Sequence, residues 1–204
     1  MTEVLRGNPK GNRMVMAAAR LTLRLMGWRA VGIYPADLPK FVVIGAPHTS
    51  SWDFIYGMLV IRALGANVRW MAKKELFDSM LGWVFYRLGG LPIDRSSRRN
   101  VVEQVVQIFE ENDEMIIGLM PEGTRKRVDT WKTGFYYIAL QANVPIVMAF
   151  FDYKHKRLGI SDTIIWPSGD ITADIAVIQE FFESDQVHAR HPEKFGHVAV
   201  NPRL

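Results

Sequence analysis

The stretch Phe41-Val42-Val43-Ile44-Gly45-Ala46-Pro47-His48-Thr49-Ser50-Ser51-Trp52-Asp53 decides how this chain is read. Its short apolar run, closed by glycine and proline, predicts a strand that delivers a histidine to its carboxyl end. A histidine follows in the turn, and Thr49, Ser50 and Ser51 are N-cap candidates for a helix that starts at once. Strand, turn and helix in this order form the unit of an open α/β sheet, where ligands gather at the carboxyl ends of the strands. On an ideal helix five positions separate two side chains by roughly 140°, so His48 must lie in the turn. Asp53 then falls in the first helical turn, where negative charge suits the helix dipole. From there its carboxylate can accept a hydrogen bond from one imidazole nitrogen and leave the other free as a base. The pair has no protein nucleophile beside it, so the nucleophile would be the hydroxyl of a second substrate.

The chain as a whole supports a folded α/β domain. It has 204 residues, 49% of them hydrophobic, enough for one full core. With no cysteine there is no disulfide framework, no thiolate nucleophile and no cysteine-ligated metal. The net charge of +4 fits an anionic partner, whether nucleic acid, membrane surface or phosphorylated substrate. No aromatic-basic platform or recognition motif points to nucleic acid.

Downstream of Asp53 the pattern alternates. Residues 54–64 read as an apolar helix stopped near Gly65, and 68–72 as a strand leading to Lys73 and Lys74. An aromatic helix over 79–88 ends at Gly89-Gly90, and Leu91-Pro92-Ile93-Asp94-Arg95 is a brief extended segment. A helix is expected over 101–111. Met115-Ile116-Ile117-Gly118-Leu119-Met120 reads as a buried parallel strand, with Pro121-Glu122-Gly123-Thr124-Arg125 at its carboxyl end. Gly123 would let backbone N–H groups approach an anion, and Arg125 can grip phosphate bidentately. Residues 133–151 carry no charge, but Gln141, Asn143 and Pro145 divide them into a helix over 134–142 and a strand over 146–151. A charged hairpin tip at 152–157, strands around 158–160 and 163–166 and a helix over 172–182 complete the chain. His188, His191 and His197 in the tail have no carboxylate or cysteine at ligand spacing, so no metal site is expected.

The first eleven residues read as a loose terminus. Residues 12–28 read as an amphipathic helix with Arg13, Arg20 and Arg24 on one face. A membrane span needs about 20 largely apolar residues, and the arginines interrupt this one. It reads as a helix packed on the domain with its arginines solvated, as an organelle transit segment, or as a helix lying in a membrane interface with Trp28 at headgroup depth. The expected division is 1–32 for this segment and 33–204 for the main domain.

A base at one strand end and two anion grips, at Arg95 and Arg125, each near another strand end, would line one edge of the sheet. That combination suits direct attack by the hydroxyl of a phosphorylated alcohol. At these residues the chain resembles the 1-acylglycerol-3-phosphate acyltransferases and their glycerolipid acyltransferase relatives. The family's His-x-x-x-x-Asp motif is matched by His48 and Asp53, its Gly-rich lead into Ile-Asp-Arg by Gly89, Gly90, Ile93, Asp94 and Arg95. Pro-Glu-Gly-Thr-Arg is matched by Pro121 to Arg125, and Val-Pro-Ile-Val by Val144 to Val147. Met120 departs from the aromatic residue the family often carries there, and the second proline common after the fourth motif is missing.

The resemblance implies a glycerol-3-phosphate acyltransferase-like fold, a mixed, mostly parallel sheet flanked by helices in a single domain. It also implies acyl transfer from acyl-CoA or acyl-ACP, as co-substrate rather than cofactor, to a lysophospholipid, foremost 1-acylglycerol-3-phosphate. His48 would be the base and Asp53 its orienter. Arg95, Gly123, Thr124, Arg125 and Lys73 would bind the acceptor phosphate, and Glu122 would order its loop. The expected location is the cytoplasmic face of an anionic membrane, peripheral or monotopic. Two rival readings use the same residues: a thioester or phosphoester hydrolase, in which His48 activates water, and a non-catalytic anionic-lipid-binding module, which would not need His48.

Overall fold

A computed structural model describes residues 4–94 and 98–200. The strand that carries the opening motif, β3 (Lys40–Ala46), lies in the middle of an eight-stranded sheet. The other strands are β1 (Leu5–Arg6), β2 (Arg29–Ile33), β4 (Val68–Lys73), β5 (Gly90–Ile93), β6 (Met115–Leu119), β7 (Ile146–Asp152) and β8 (Arg157–Ile165). The spatial order is β1-β2-β8-β7-β3-β6-β4-β5. From β7 to β5 all neighbours are parallel; β8 turns back antiparallel to β7, and β2 and β1 follow β8 in parallel. The sheet is therefore mixed and mostly parallel, as expected.

Burial on both faces explains the unbroken apolar runs. Along β3, Val42 and Ile44 enter one core, with helices α5 (Arg98–Glu110), α6 (Gly134–Gln141) and α7 (Ile171–Phe182) contributing Phe109, Phe135, Ile138 and Ile178. Phe41 faces the other core, built with helices α1 (Arg13–Leu25) and α2 (Trp52–Leu64) through Leu23, Tyr56, Val60 and Leu64. The uncharged run over 133–151 is accounted for within the domain by α6 and β7, and among the described residues no helix is long and apolar enough to cross a membrane. Short helices α3 (Lys74–Phe77) and α4 (Gly82–Arg87) link β4 to β5.

Three sequence readings are corrected. The strands expected around 158–160 and 163–166 are one strand, β8, which keeps its pairing with β7 across an irregularity in register between Val147 and Ala149. The first residues are not loose throughout, because β1 pairs with β2. Trp28 does not stand at headgroup depth. It is 4% exposed, with its ring 4.4 Å from that of Tyr56 and edge-on to Tyr153 at 4.9 Å. Helix α1 buries Met16, Ala19 and Leu23 against α2, and Arg20 turns inward to donate from Nε to the Ala63 carbonyl at 3.0 Å. Arg13 and Arg24 stay exposed beside Met14, Leu21 and Leu25.

Candidate active site

The parallel block brings the carboxyl ends of β7, β3, β6, β4 and β5 to one edge. His48 leaves β3 in a turn and Asp53 sits in the first turn of α2. The local sequence closes this turn on itself. Ser50 Oγ accepts from the Trp52 N–H at 3.2 Å, while Asp53 Oδ2 accepts from the N–H groups of Ser50 and Thr49, each at 2.8 Å. Asp53 thereby reaches back over the turn that leads into α2, while Ser51, the N-cap residue of the helix, makes no side-chain cap bond.

His48 Nδ1 lies 3.3 Å from the same Oδ2. The ring is not aligned for a hydrogen bond, so Nδ1 has no such partner among the described residues. The contact is an electrostatic one that a small ring rotation would turn into a hydrogen bond, as substrate-free catalytic pairs often require. Asp53 is completely buried. Burial alone would raise its carboxyl; the His48 ring, the Tyr153 hydroxyl and the two N–H donors outweigh it and hold the group below the ordinary carboxylate range.

Glu122, on the loop after β6, reaches back to this turn. Its Oε1 accepts from the His48 N–H at 2.8 Å, and its Oε2 has no hydrogen-bond partner among the described residues. Burial pushes its carboxyl up to about 7, with Asp53 adding to the rise and His48 opposing it. The loop is thus fastened to the backbone of the histidine rather than offered as a second charge. Gly123 turns at φ 65°, a left-handed conformation that favours glycine, and Lys132 lies where a Cβ would stand. Arg125 donates to Ser51 Oγ, which brings its guanidinium to the start of α2. His48, Asp53, Gly123, Thr124, Arg125 and Lys132 all line one cavity of about 1380 Å³. The cavity continues between α2 and the sheet past Gly57, Met58, Ile61 and Met120. Gly57 keeps the helix side open, since the nearest atom to a Cβ there would be 3.8 Å away on Phe151.

Lys73 is exposed at the end of β4, on the same sheet edge, but is not among the residues lining the cavity. Arg95 lies outside the described residues. The sequence reading missed Lys132, Tyr153 and the segment around 185–191. Tyr153 follows β7 directly and donates to Asp53 Oδ1 at 2.5 Å. The signal for it was a phenol just after a buried strand on the active edge. Arg190 stands over the rings of Trp52 and Tyr153, at 5.6 and 6.0 Å.

The tail histidines meet carboxylates that linear spacing hides. Asp152, completely buried, accepts from Arg157 Nε and Nη2 at 3.0 and 2.8 Å and lies within 2.9 Å of Nδ1 of both His155 and His188. Asp152, His155 and His188 offer ligand-type atoms within 4.8 Å of one another. Both oxygens are already engaged and a guanidinium stands beside them, so the group works as an ionic clamp rather than a cation cage. It ties the turn after β7 to the tail, where the Tyr153 N–H donates to the His188 carbonyl at 2.9 Å. His191 N–H continues the tail to Thr49 Oγ1 at 3.3 Å.

Comparison with known proteins gives the family of this chain. The sequence pattern of the Acyltransferase family matches residues 34–151, more than half of the chain, and the chain belongs to that family. It is 27% identical over 164 residues to the 1-acyl-sn-glycerol-3-phosphate acyltransferase of Haemophilus influenzae, covering 74% of this chain and 64% of that protein. This chain therefore spans a little under two thirds of that relative's length. In fold it is similar to the 1-acyl-sn-glycerophosphate (LPA) acyltransferase PlsC from Thermotoga maritima, with a TM-score of 0.55 and 18% identity over 81% of this chain and 73% of that one.

Proposed function

We propose that this chain is an O-acyltransferase that moves an acyl group from acyl-CoA or acyl-ACP to the free hydroxyl of a lysophospholipid, with 1-acylglycerol-3-phosphate as acceptor and phosphatidic acid as product. The observation that carries this reading is the buried Asp53 carboxylate, saturated by backbone and phenol donors, beside a His48 ring that opens onto an apolar cavity. His48 Nε2 would take the acceptor's hydroxyl proton as the oxygen attacks the thioester carbonyl, and Asp53 would stabilise the imidazolium that forms. The proton then passes to the departing thiolate. Arg125 at Ser51 and Lys132 against Gly123, both lining the cavity, would supply positive charge for the acceptor phosphate. The apolar walls beyond Gly57 suit a hydrocarbon chain.

The test is thiol release from acyl-CoA and from acyl-ACP, with and without 1-acylglycerol-3-phosphate. Because the chain has no cysteine, a thiol-reactive dye reads the product without background from the protein. Release is expected only with the acceptor present. Equal release without it would make the protein a hydrolase, and none with any lyso-acceptor would leave a binding module.

We further propose that α1 meets an anionic membrane surface through its outward side, where Met14 and Leu25, next to Arg13 and Arg24, are more than three-quarters exposed. Arg20 is excluded because it bonds to the Ala63 carbonyl. Arg13→Glu with Arg24→Glu is expected to weaken binding to anionic vesicles, read by sedimentation, by about thirtyfold or more, each basic residue near such a surface contributing about 1 kcal/mol. Unchanged sedimentation would remove α1 from the contact.

A further inference from the structure

The His48–Asp53 pair has a partner beyond the stretch that the family pattern matches, which ends at Phe151. Asp53 is wholly buried, so every acceptor site on its carboxylate must be met from within the protein. Oδ2 takes the N–H groups of Thr49 and Ser50 and faces the His48 ring. Oδ1 takes the Tyr153 hydroxyl. Without that phenol, one oxygen of the carboxylate would lose the only donor the described residues direct at it.

Tyr153 is held for this task from three sides. Its ring sits edge-on to Trp28, 6.1 Å from the ring of Tyr56, and under Arg190. Its N–H is bonded to the tail beside the Asp152 clamp. Burial first, and then the Asp53 charge, push the Tyr153 hydroxyl well above its ordinary range, with Arg190 opposing them, so it remains a protonated donor. β7 lies directly beside β3, with Phe150 in register with Ala46, which is why a residue just past one strand meets a residue just past the other.

We propose that Tyr153 is a positioning residue of the catalytic pair: its hydroxyl fixes the Asp53 carboxylate and takes up part of its negative charge, so that His48 stays oriented and the carboxylate's hold on an imidazolium is moderated. This rests on the reading of His48 as the base. Sharing the charge matters because a hydrogen bond to one oxygen of a carboxylate weakens its hold on a cation at the other. Among the described residues, the charged and titratable groups around the pair are Glu122 on the loop after β6, Arg125 at Ser51, Lys132 on the shared cavity, Tyr56 of α2, and Arg190 of the tail.

The experiment is Tyr153→Phe, which keeps the ring and removes the donor. In the ligand-free protein, the ring-proton resonance of His48, assigned by its loss in His48→Ala, is followed against pH. Its midpoint is expected to move up by about half a pH unit or more, because Oδ2 then holds more charge for the imidazolium. In the acyl-transfer assay kcat is expected to fall about threefold near neutral pH, the change in free base that half a pH unit produces, with the KM of both substrates within about twofold of wild type. The loss should shrink as pH rises and vanish in an Asp53→Asn background. An unmoved His48 midpoint, or a kcat loss equal at every pH and undiminished in Asp53→Asn, would overturn the proposal. If circular dichroism shows Tyr153→Phe unfolded, 3-fluorotyrosine at position 153 replaces it; this stronger donor should move the midpoint down, and no movement overturns the proposal. A wild-type chain with no acceptor-dependent turnover would refute the acyl-transfer reading alone, since the resonance measurement needs no substrate.

Discussion

His48→Ala is expected to lower acceptor-dependent thiol release by a factor of about 10² to 10⁴, with little change in the KM of either substrate. The acceptor hydroxyl is a poor nucleophile until its proton is taken, and among the described residues His48 is the one imidazole lining the cavity. Its side chain is about one-fifth exposed, open to a substrate but backed by a fully buried carboxylate. Glu122 is the competing base, because burial lifts its carboxyl to about 7. Its Oε1, however, is committed to the His48 N–H, and the residue is only 3% exposed. The assay therefore includes Glu122→Gln. Activity that survived His48→Ala and collapsed in Glu122→Gln would move the base to the glutamate. Loss in His48→Ala with the acceptor-free background unchanged would fit an acceptor-directed base.

The sequence carried most of what sits on a single element. The apolar run of β3 followed by His48, the capping residues and Asp53 is one continuous stretch, so its strand, turn and helix could be read locally. The turn of Gly123 and the break at Pro145 were equally local. What could not be read was adjacency between elements. Nothing in the linear order says that β7 lies beside β3, so Tyr153 looked like part of a charged hairpin tip and Asp152 like a surface residue. The tail was opaque for the same reason: Arg190 and His191 reach Trp52 and Thr49 across more than a hundred positions. Helix α1 shows a different limit. Its periodicity identified an amphipathic helix, yet period alone does not say which face the protein covers, and Arg20 and Trp28 proved to belong to the covered side.

Asp152→Asn is expected to destabilise the fold by about 3 kcal/mol near neutral pH, read as a fall in the denaturant midpoint. The substitution keeps the shape of a buried side chain but takes away the charge that Arg157 addresses with both Nε and Nη2. It also sets an amide N–H₂ group where an acceptor stood, so it faces either the Arg157 guanidinium on Oδ2 or the His155 backbone N–H on Oδ1, donor against donor. The partners are partly exposed, which keeps the effect at the low end for a buried ion pair. The sign of the pH dependence follows from the carboxyl itself. Burial would raise it, but Arg157 and His155 hold it below its ordinary value of 3.8. A group depressed in the folded state contributes its stability above the unfolded value and loses it as pH falls through the folded one. The gap between wild type and Asp152→Asn should therefore be full near neutral pH and close below about pH 4. A variant within about 0.5 kcal/mol of wild type near neutral pH would mean that the clamp adds nothing net. A loss as large as expected, joined to a drop in turnover that Tyr153→Phe already accounts for, would show that the tail reaches the active centre through Tyr153.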